Sequence, residues 1–226
     1  MKTVEDFISR ITPDVTGCDS ETVINAVTDT IISFCKDVRV FQYKFASTVL
    51  DTSIITTGGI HYLDFSISSL TDKIPYKVNY IKLGGTTYED KQGTINKLYY
   101  NDLLTDSAYY DLDQNSLYFC FAPNNKVRIY PVSWEGSTTL EIEVVYVPTR
   151  DFTEIDDWFY EHYVDTIAHG TKALLFISGD TPTVSVARHQ LERVEYHRGV
   201  AEAKRRLLHG CQNKSGHVKY RKFGGY

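Results

Sequence analysis

The sequence predicts an α+β protein. It comprises a discontinuous helical bundle (an N-terminal helix plus a C-terminal helix pair), an inserted antiparallel β-sandwich or partial barrel, and an extended C-terminal tail. Three observations carry that expectation. Apolar residues recur at helical spacing before residue 38 and again after residue 152; between those stretches the period falls to two; and beyond Gly210 the chain turns polar, basic and glycine-studded.

A short leading helix is expected around 4–11, set off by Pro13 and Gly17. A longer one follows over 19–37, where Val23, Val27, Ile31 and Phe34 mark a buried face that Ile24, Ile32 and Cys35 widen. Strands are then expected at 40–50, 61–67 and 76–83. Gly84-Gly85 reads as a hairpin turn that needs positive φ, and Pro123-Asn124-Asn125 as a second turn between 117–121 and 127–132. Leu140, Ile142, Val144 and Tyr146 alternate with Glu141 and Glu143, the pattern of a strand with one buried and one wet face. Strands and helices do not alternate, which argues against a doubly wound sheet.

Helix returns over 153–178, with Glu154, Asp156 and Asp157 crowded at its positive dipole end. The last helix is expected over 182–209, opened by Thr181-Pro182 and stopped by Gly210. Val184, Ala187, Leu191, Val194, Ala201 and Leu208 follow a three-and-four spacing, with Arg198 and Arg205 at intervening steps. Gly170 and Gly199 each cost a helix interior about 1 kcal/mol relative to alanine, which points to close helix approach or a kink. The expected segments are 1–37 (N-terminal helices), 38–150 (inserted β domain), 151–210 (helical hairpin) and 211–226 (tail).

At 226 residues the chain is long enough to bury a core without disulfides or metal. Cys18, Cys35, Cys120 and Cys211 are scattered, with no CxxC pair, and read as reduced thiols. The absence of an apolar run near ~20 residues and the early acids of MKTVEDFISR argue against a membrane span or secretion. Net charge is −5, unevenly divided: from Ala187 onward ten Lys or Arg stand against three Glu, a net +7 that leaves −12 for the remainder. Such a split argues for a charged partner or a contact between unlike faces of two subunits.

Enzymatic signatures are lacking: no GxSxG elbow, P-loop, GxGxxG or paired Cys/His set appears, so no catalytic residue, metal or cofactor is expected. His162 and His169, like His189 and His197, share a helix without any HExxH-type ligand set. The 17 tyrosines cluster mid-chain, as suits strands and wet interfaces. Tyr99, Tyr100, Tyr109 and Tyr110 leave open a glycan-binding module as an alternative. The tail is too polar to fold on its own surface. Yet Tyr220, Phe223 and Tyr226 sit among Lys219, Arg221 and Lys222, a composition suited to docking. Phosphate binding and base stacking by this arm make a DNA-binding accessory protein the other alternative.

Ile11-Thr12-Pro13-Asp14-Val15-Thr16-Gly17-Cys18, followed by a helix closing on Phe34-Cys35, resembles the opening of phage head-to-tail adaptor proteins. Trp158-Phe159-Tyr160-Glu161-His162-Tyr163 with the run 167–175 is similar to their first C-terminal helix. The run 193–206, centred on Gly199-Val200-Ala201-Glu202-Ala203-Lys204, is similar to their second, and Arg221-Lys222-Phe223 to their basic-aromatic ending. Asp19, where proline is common, and the Gly224-Gly225-Tyr226 extension depart from the pattern. The resemblance implies a virion protein at the head–tail junction, made in the host cytoplasm. There it would form a twelve-subunit homo-oligomeric ring beneath the portal protein and join it to tail or nozzle proteins. Double-stranded DNA would pass through the channel without specific binding. Lys219, Tyr220, Arg221, Lys222, Phe223 and Tyr226 would form the portal-docking tail. Arg188, Arg193, Arg198, Arg205 and Arg206 would form a basic helix face for ring or portal contact.

Overall fold

The computed structural model describes residues 1–50, 54–57, 60–90, 118–122, 125–130, 137–178 and 184–210. The fold is α+β, and the chain divides into two compact units: Met1–Val38 with Glu154–Tyr226, and Arg39–Thr153.

The first unit holds the described helices α1 (Val4–Ile8), α2 (Ser20–Val38), α3 (Asp157–Ile177) and α4 (Val186–Gly210). Helix α2 starts where it does because the Asp19 carboxylate accepts both the Thr22 backbone N–H, at 2.8 Å, and the Thr22 hydroxyl. Val23, Val27, Ile31, Phe34 and Cys35 are all buried, the face that the spacing marks. That face meets α3 in antiparallel fashion. The Phe34 ring lies 5.8 Å from Phe159 and 4.8 Å from Tyr163, while one helical turn earlier Thr30 accepts the Thr171 hydroxyl at 3.2 Å. The chain start is tied to the foot of α3 by reciprocal backbone hydrogen bonds between Lys2 and Ile155, at 2.9 and 2.7 Å. Phe7 fills the corner against Tyr160.

Helix bounds differ from the sequence expectation by more than one residue at three places, one being the start of α3 at Asp157 rather than 153. Helix α1 ends at Ile8, and 9–11 continue only as turns. Helix α4 begins at Val186, not 182. Ser185 opens it: its hydroxyl accepts the Arg188 N–H at 3.4 Å and its carbonyl accepts the His189 N–H at 2.9 Å. Thr181 and Pro182 lie outside the described residues. Of the three carboxylates expected to crowd the start of α3, Asp157 is in the first turn, Asp156 stands at the N-cap position without a side-chain capping hydrogen bond, and Glu154 precedes it.

The second unit is a sheet of β1 (Phe41–Leu50), β2 (Ile54–Thr57), β3 (Ile60–Ser66), β4 (Lys73–Leu83), β5 (Thr86–Asp90), β6 (Tyr118–Ala122), β7 (Lys126–Tyr130) and β8 (Ser137–Pro148). Among the described residues their order is β1-β8-β4-β5-β6-β7-β3-β2, an open sheet with β1 and β2 at its ends and no closed barrel. Gly84 and Gly85 turn β4 into β5 at φ of 56° and 86°, the positive values the glycine pair predicts. Strand β8 is the spine, paired antiparallel with β1 and β4. Leu140, Ile142, Val144 and Tyr146 are buried, and from Val144 onward Val145 and Val147 are buried too, so both faces are covered there. Two features depart from the expectation. Strand β2 has no counterpart among the expected strands, since four residues are too short for a periodic signal. The β5–β6 pair is parallel, in a sheet whose other pairs are antiparallel. A cross-strand pair also escapes composition: Asp64 on β3 faces Arg128 on β7, whose Nε donates to the carboxylate at 2.6 Å, and the Arg128 side chain is 4% exposed.

Candidate interface on the helical unit

Helix α4 packs on α3 through small residues. A Cβ at Gly199 would lie 2.3 Å from Thr166 Oγ1 and 2.9 Å from Thr166 Cβ. One at Gly170 would lie 2.6 Å from both the Tyr196 ring and Thr30 Cγ2. Both glycines therefore serve close approach. Val200 and Ala203 are buried on the same side of α4. His189 Nδ1 lies 2.8 Å from the Ala173 carbonyl and His169 Nδ1 lies 2.5 Å from Glu192 Oε2, cross-links that fix the hairpin's register. Tyr196 is wedged into this seam. Burial pushes its phenol well above the usual tyrosine range, with Asp37 and Cys35 adding to the rise, and its hydroxyl has no hydrogen-bond partner among the described residues.

That packing turns the three-and-four stripe outward. Ala187, Leu191, Val194, Arg198, Ala201 and Arg205 are all exposed, Leu191 by 70% and Val194 by 64%. They recur at steps of four, three, four, three and four, so they form one continuous row along the helix. Val184 and Val186 at the helix start, and Leu174 and Ile177 at the end of α3, are exposed as well. Sequence spacing identifies the row, but its direction is set by Gly199, Val200 and Ala203 on the opposite side, where α3 approaches closely.

The five arginines expected to form one basic face do not. At 3.6 residues per turn, Arg198 and Arg205 fall within the outward row, Arg188 and Arg206 share a second side of the helix, and Arg193 points to a third. All five are exposed. Four have a neighbour in their own chain: Arg198 pairs with Glu195 at 3.1 Å, Arg206 with Glu202, Arg188 stacks over the Phe176 ring, and Arg193 donates to His197. Arg205 and Lys204 have no ion-pair partner among the described residues. The tail residues Lys219, Tyr220, Arg221, Lys222, Phe223 and Tyr226 lie outside the described residues, as do Tyr99, Tyr100, Tyr109 and Tyr110.

The outer face of α3 has the opposite character. Asp157, Glu161 and Asp165, at i, i+4 and i+8, line one exposed row, with Trp158 (43% exposed) and His162 beside it. The N-terminal amine sits 2.8 Å from Asp157 and Arg10 lies 4.0 Å from Asp165, so the row is only partly neutralised; Glu161 has no ion-pair partner among the described residues. The i, i+4, i+8 spacing of these acids was legible in the sequence, but helix-dipole pairing accounts only for Asp157.

Among the described residues no three His, Cys, Asp or Glu side chains stand together as a metal site, and no helix is long and apolar enough to cross a membrane. No protein-family model and no curated protein compared with the chain matches it.

Proposed function

We propose that the protein is a structural coupling element of a phage virion, a head-to-tail adaptor whose copies form a ring below the portal and link it to tail or nozzle proteins. The observation that carries this reading is the outward row on α4. A helix that buries small residues on one side and holds Leu191 and Val194 in water on the other is half of a protein–protein interface. The order of helical segments around a β insertion, on the residues that resemble adaptor proteins, supports the choice of adaptor within that class. The basic aromatic tail supplies a second contact in this reading. Phe223 is its anchor, because a buried aromatic can dominate a docking energy while its neighbours exclude water. Repetition around a closed ring lets modest contacts add up.

The test is a chain truncated after Gly210, mixed with portal rings of the same virus and imaged by negative-stain microscopy. The full chain is expected to decorate the rings and the truncated chain to fold yet remain free. Decoration by the truncated chain at full occupancy removes the docking tail from this reading.

A further inference from the structure

The outward row on α4 and the acidic row on α3 belong to the same helical unit but lie on different sides of it. The α4 row is apolar at its start and basic further on, with Leu191 and Val194 followed by Arg198 and Arg205. The α3 row is acidic, with a half-exposed indole next to it. We infer that these two rows are partners between copies: the α4 row of one copy seats against the Asp157–Glu161–Asp165 row and Trp158 of the next. This rests on the ring reading above for its occupant, a second copy, and assigns the two faces that meet.

Charge selects this pairing over the alternatives. Helix α4 carries six Lys or Arg against three Glu, so pairing two α4 rows face to face would bring Arg198 and Arg205 of both copies into one seam. Like charges brought together at a contact are strongly disfavoured. Set against α3, the same arginines meet Glu161 and Asp165, and Leu191 and Val194 gain an apolar ring in Trp158. Indole side chains are enriched at the energetic centres of interfaces. Nucleic acid fits the row poorly, because its leading half is aliphatic and offers no donor to phosphate. The pairing is also heterologous: each copy uses its α4 row on one neighbour and its α3 row on the other. Such a contact propagates, and closes as a ring where the rotation allows.

Oxidative trapping of full-length chains at high concentration tests it. One chain carries Val194→Cys, another Glu161→Cys, each is run alone and both are mixed, beside the unmodified chain to account for its own four cysteines. Mixing is expected to give disulfide dimers at least about tenfold above any single variant, and a chain carrying both changes is expected to give a ladder. R198E with R205E is expected to weaken trapping by about tenfold or more, with only a small shift of the thermal melt, because both sites are exposed and the one ion pair lost, Arg198 with Glu195, is at the surface. In sedimentation of chains without the added cysteines, R198E with R205E is expected to weaken association, and E161R with D165R in the partner chain to restore it. Trapping of Val194→Cys with itself as efficiently as in the mixture would mean that α4 rows pair with each other, and no excess on mixing would mean that the two faces do not meet; either overturns the inference. Portal decoration separates this from the broader reading: rings decorated by the unmodified chain without cross-copy trapping defeat the face assignment alone, whereas trapping without decoration defeats the adaptor reading.

Discussion

Gly199 and Thr166 set how near α4 can come to α3. An alanine at 199 gains about 1 kcal/mol of helix propensity. It also drives its methyl to 2.9 Å from Thr166 Cβ, an approach that only a shift of the helix relieves. Overpacking of this kind costs about 1–3 kcal/mol, so Gly199→Ala is expected to destabilise on balance, and adding Thr166→Ala to recover only the part due to Thr166 Oγ1 and Cγ2 in urea unfolding, because a Cβ remains at 166. A neutral Gly199→Ala would show that the hairpin has slack. Asp64→Ala poses a different cost. It leaves the Arg128 guanidinium buried without its carboxylate and is expected to cost about 3 kcal/mol. Tyr196 gives the pH test. Its folded pKa is raised, so its contribution is intact below the ordinary tyrosine range of about 10 and is lost as pH climbs through and beyond that range. Tyr196→Phe removes a hydroxyl that makes no hydrogen bond among the described residues. Its stability at neutral pH is therefore expected to be equal or higher, and its alkaline decline shallower, in melts from pH 8 to 11.

Helix α2 shows what a sequence can and cannot say about an element. Its buried face was legible because every apolar position in Val23, Val27, Ile31 and Phe34 is large and lies on one side. Its start rests on Asp19, held below the usual carboxylate range by the Thr22 hydroxyl and backbone N–H. That lowered pKa means the cap is fully effective above the ordinary aspartate range and is lost as pH falls through the folded value. Asp19→Asn should therefore flatten the acid limb of the stability profile between about pH 5 and 2, and an unchanged limb would assign it to other carboxylates. Helix α4 was less legible. Its spacing identified the row of Leu191 and Val194, but large apolar residues normally mark a buried side, and here the buried side is made of Gly199, Val200 and Ala203. Small residues carry almost no periodic hydrophobic signal, so only the packing reveals them. The same limit hid Trp158 and Glu161 as interface residues, since an exposed acid row is ordinarily just solvated. Leu191→Ser is accordingly expected to change folding stability by no more than about 0.5 kcal/mol while weakening trapping between Val194→Cys and Glu161→Cys copies by about tenfold or more.

At the scale of the whole chain, the helical unit is assembled from two segments that the sequence separates by residues 39–153. What makes that possible is visible at the seam. Phe34, near the end of α2, packs against Phe159 at the start of α3, so the two antiparallel helices place the end of the first segment and the start of the second at the same end of the helical unit. The unit buries its own core through Phe7, Phe34, Phe159 and Ile167. The β unit has a separate core through Ile81, Phe119, Val127 and Val144. A chain in which a short glycine–serine linker joins Val38 to Glu154 is therefore expected to fold into a helical protein with cooperative thermal unfolding, read by circular dichroism at 222 nm. The 39–153 segment alone is expected to give a sheet spectrum. Because both contact rows sit on α3 and α4, the linked helical chain should also retain trapping between Val194→Cys and Glu161→Cys copies. Loss of trapping in a linked chain that melts cooperatively would assign part of the contact to the β unit and remove the helical rows as a sufficient interface.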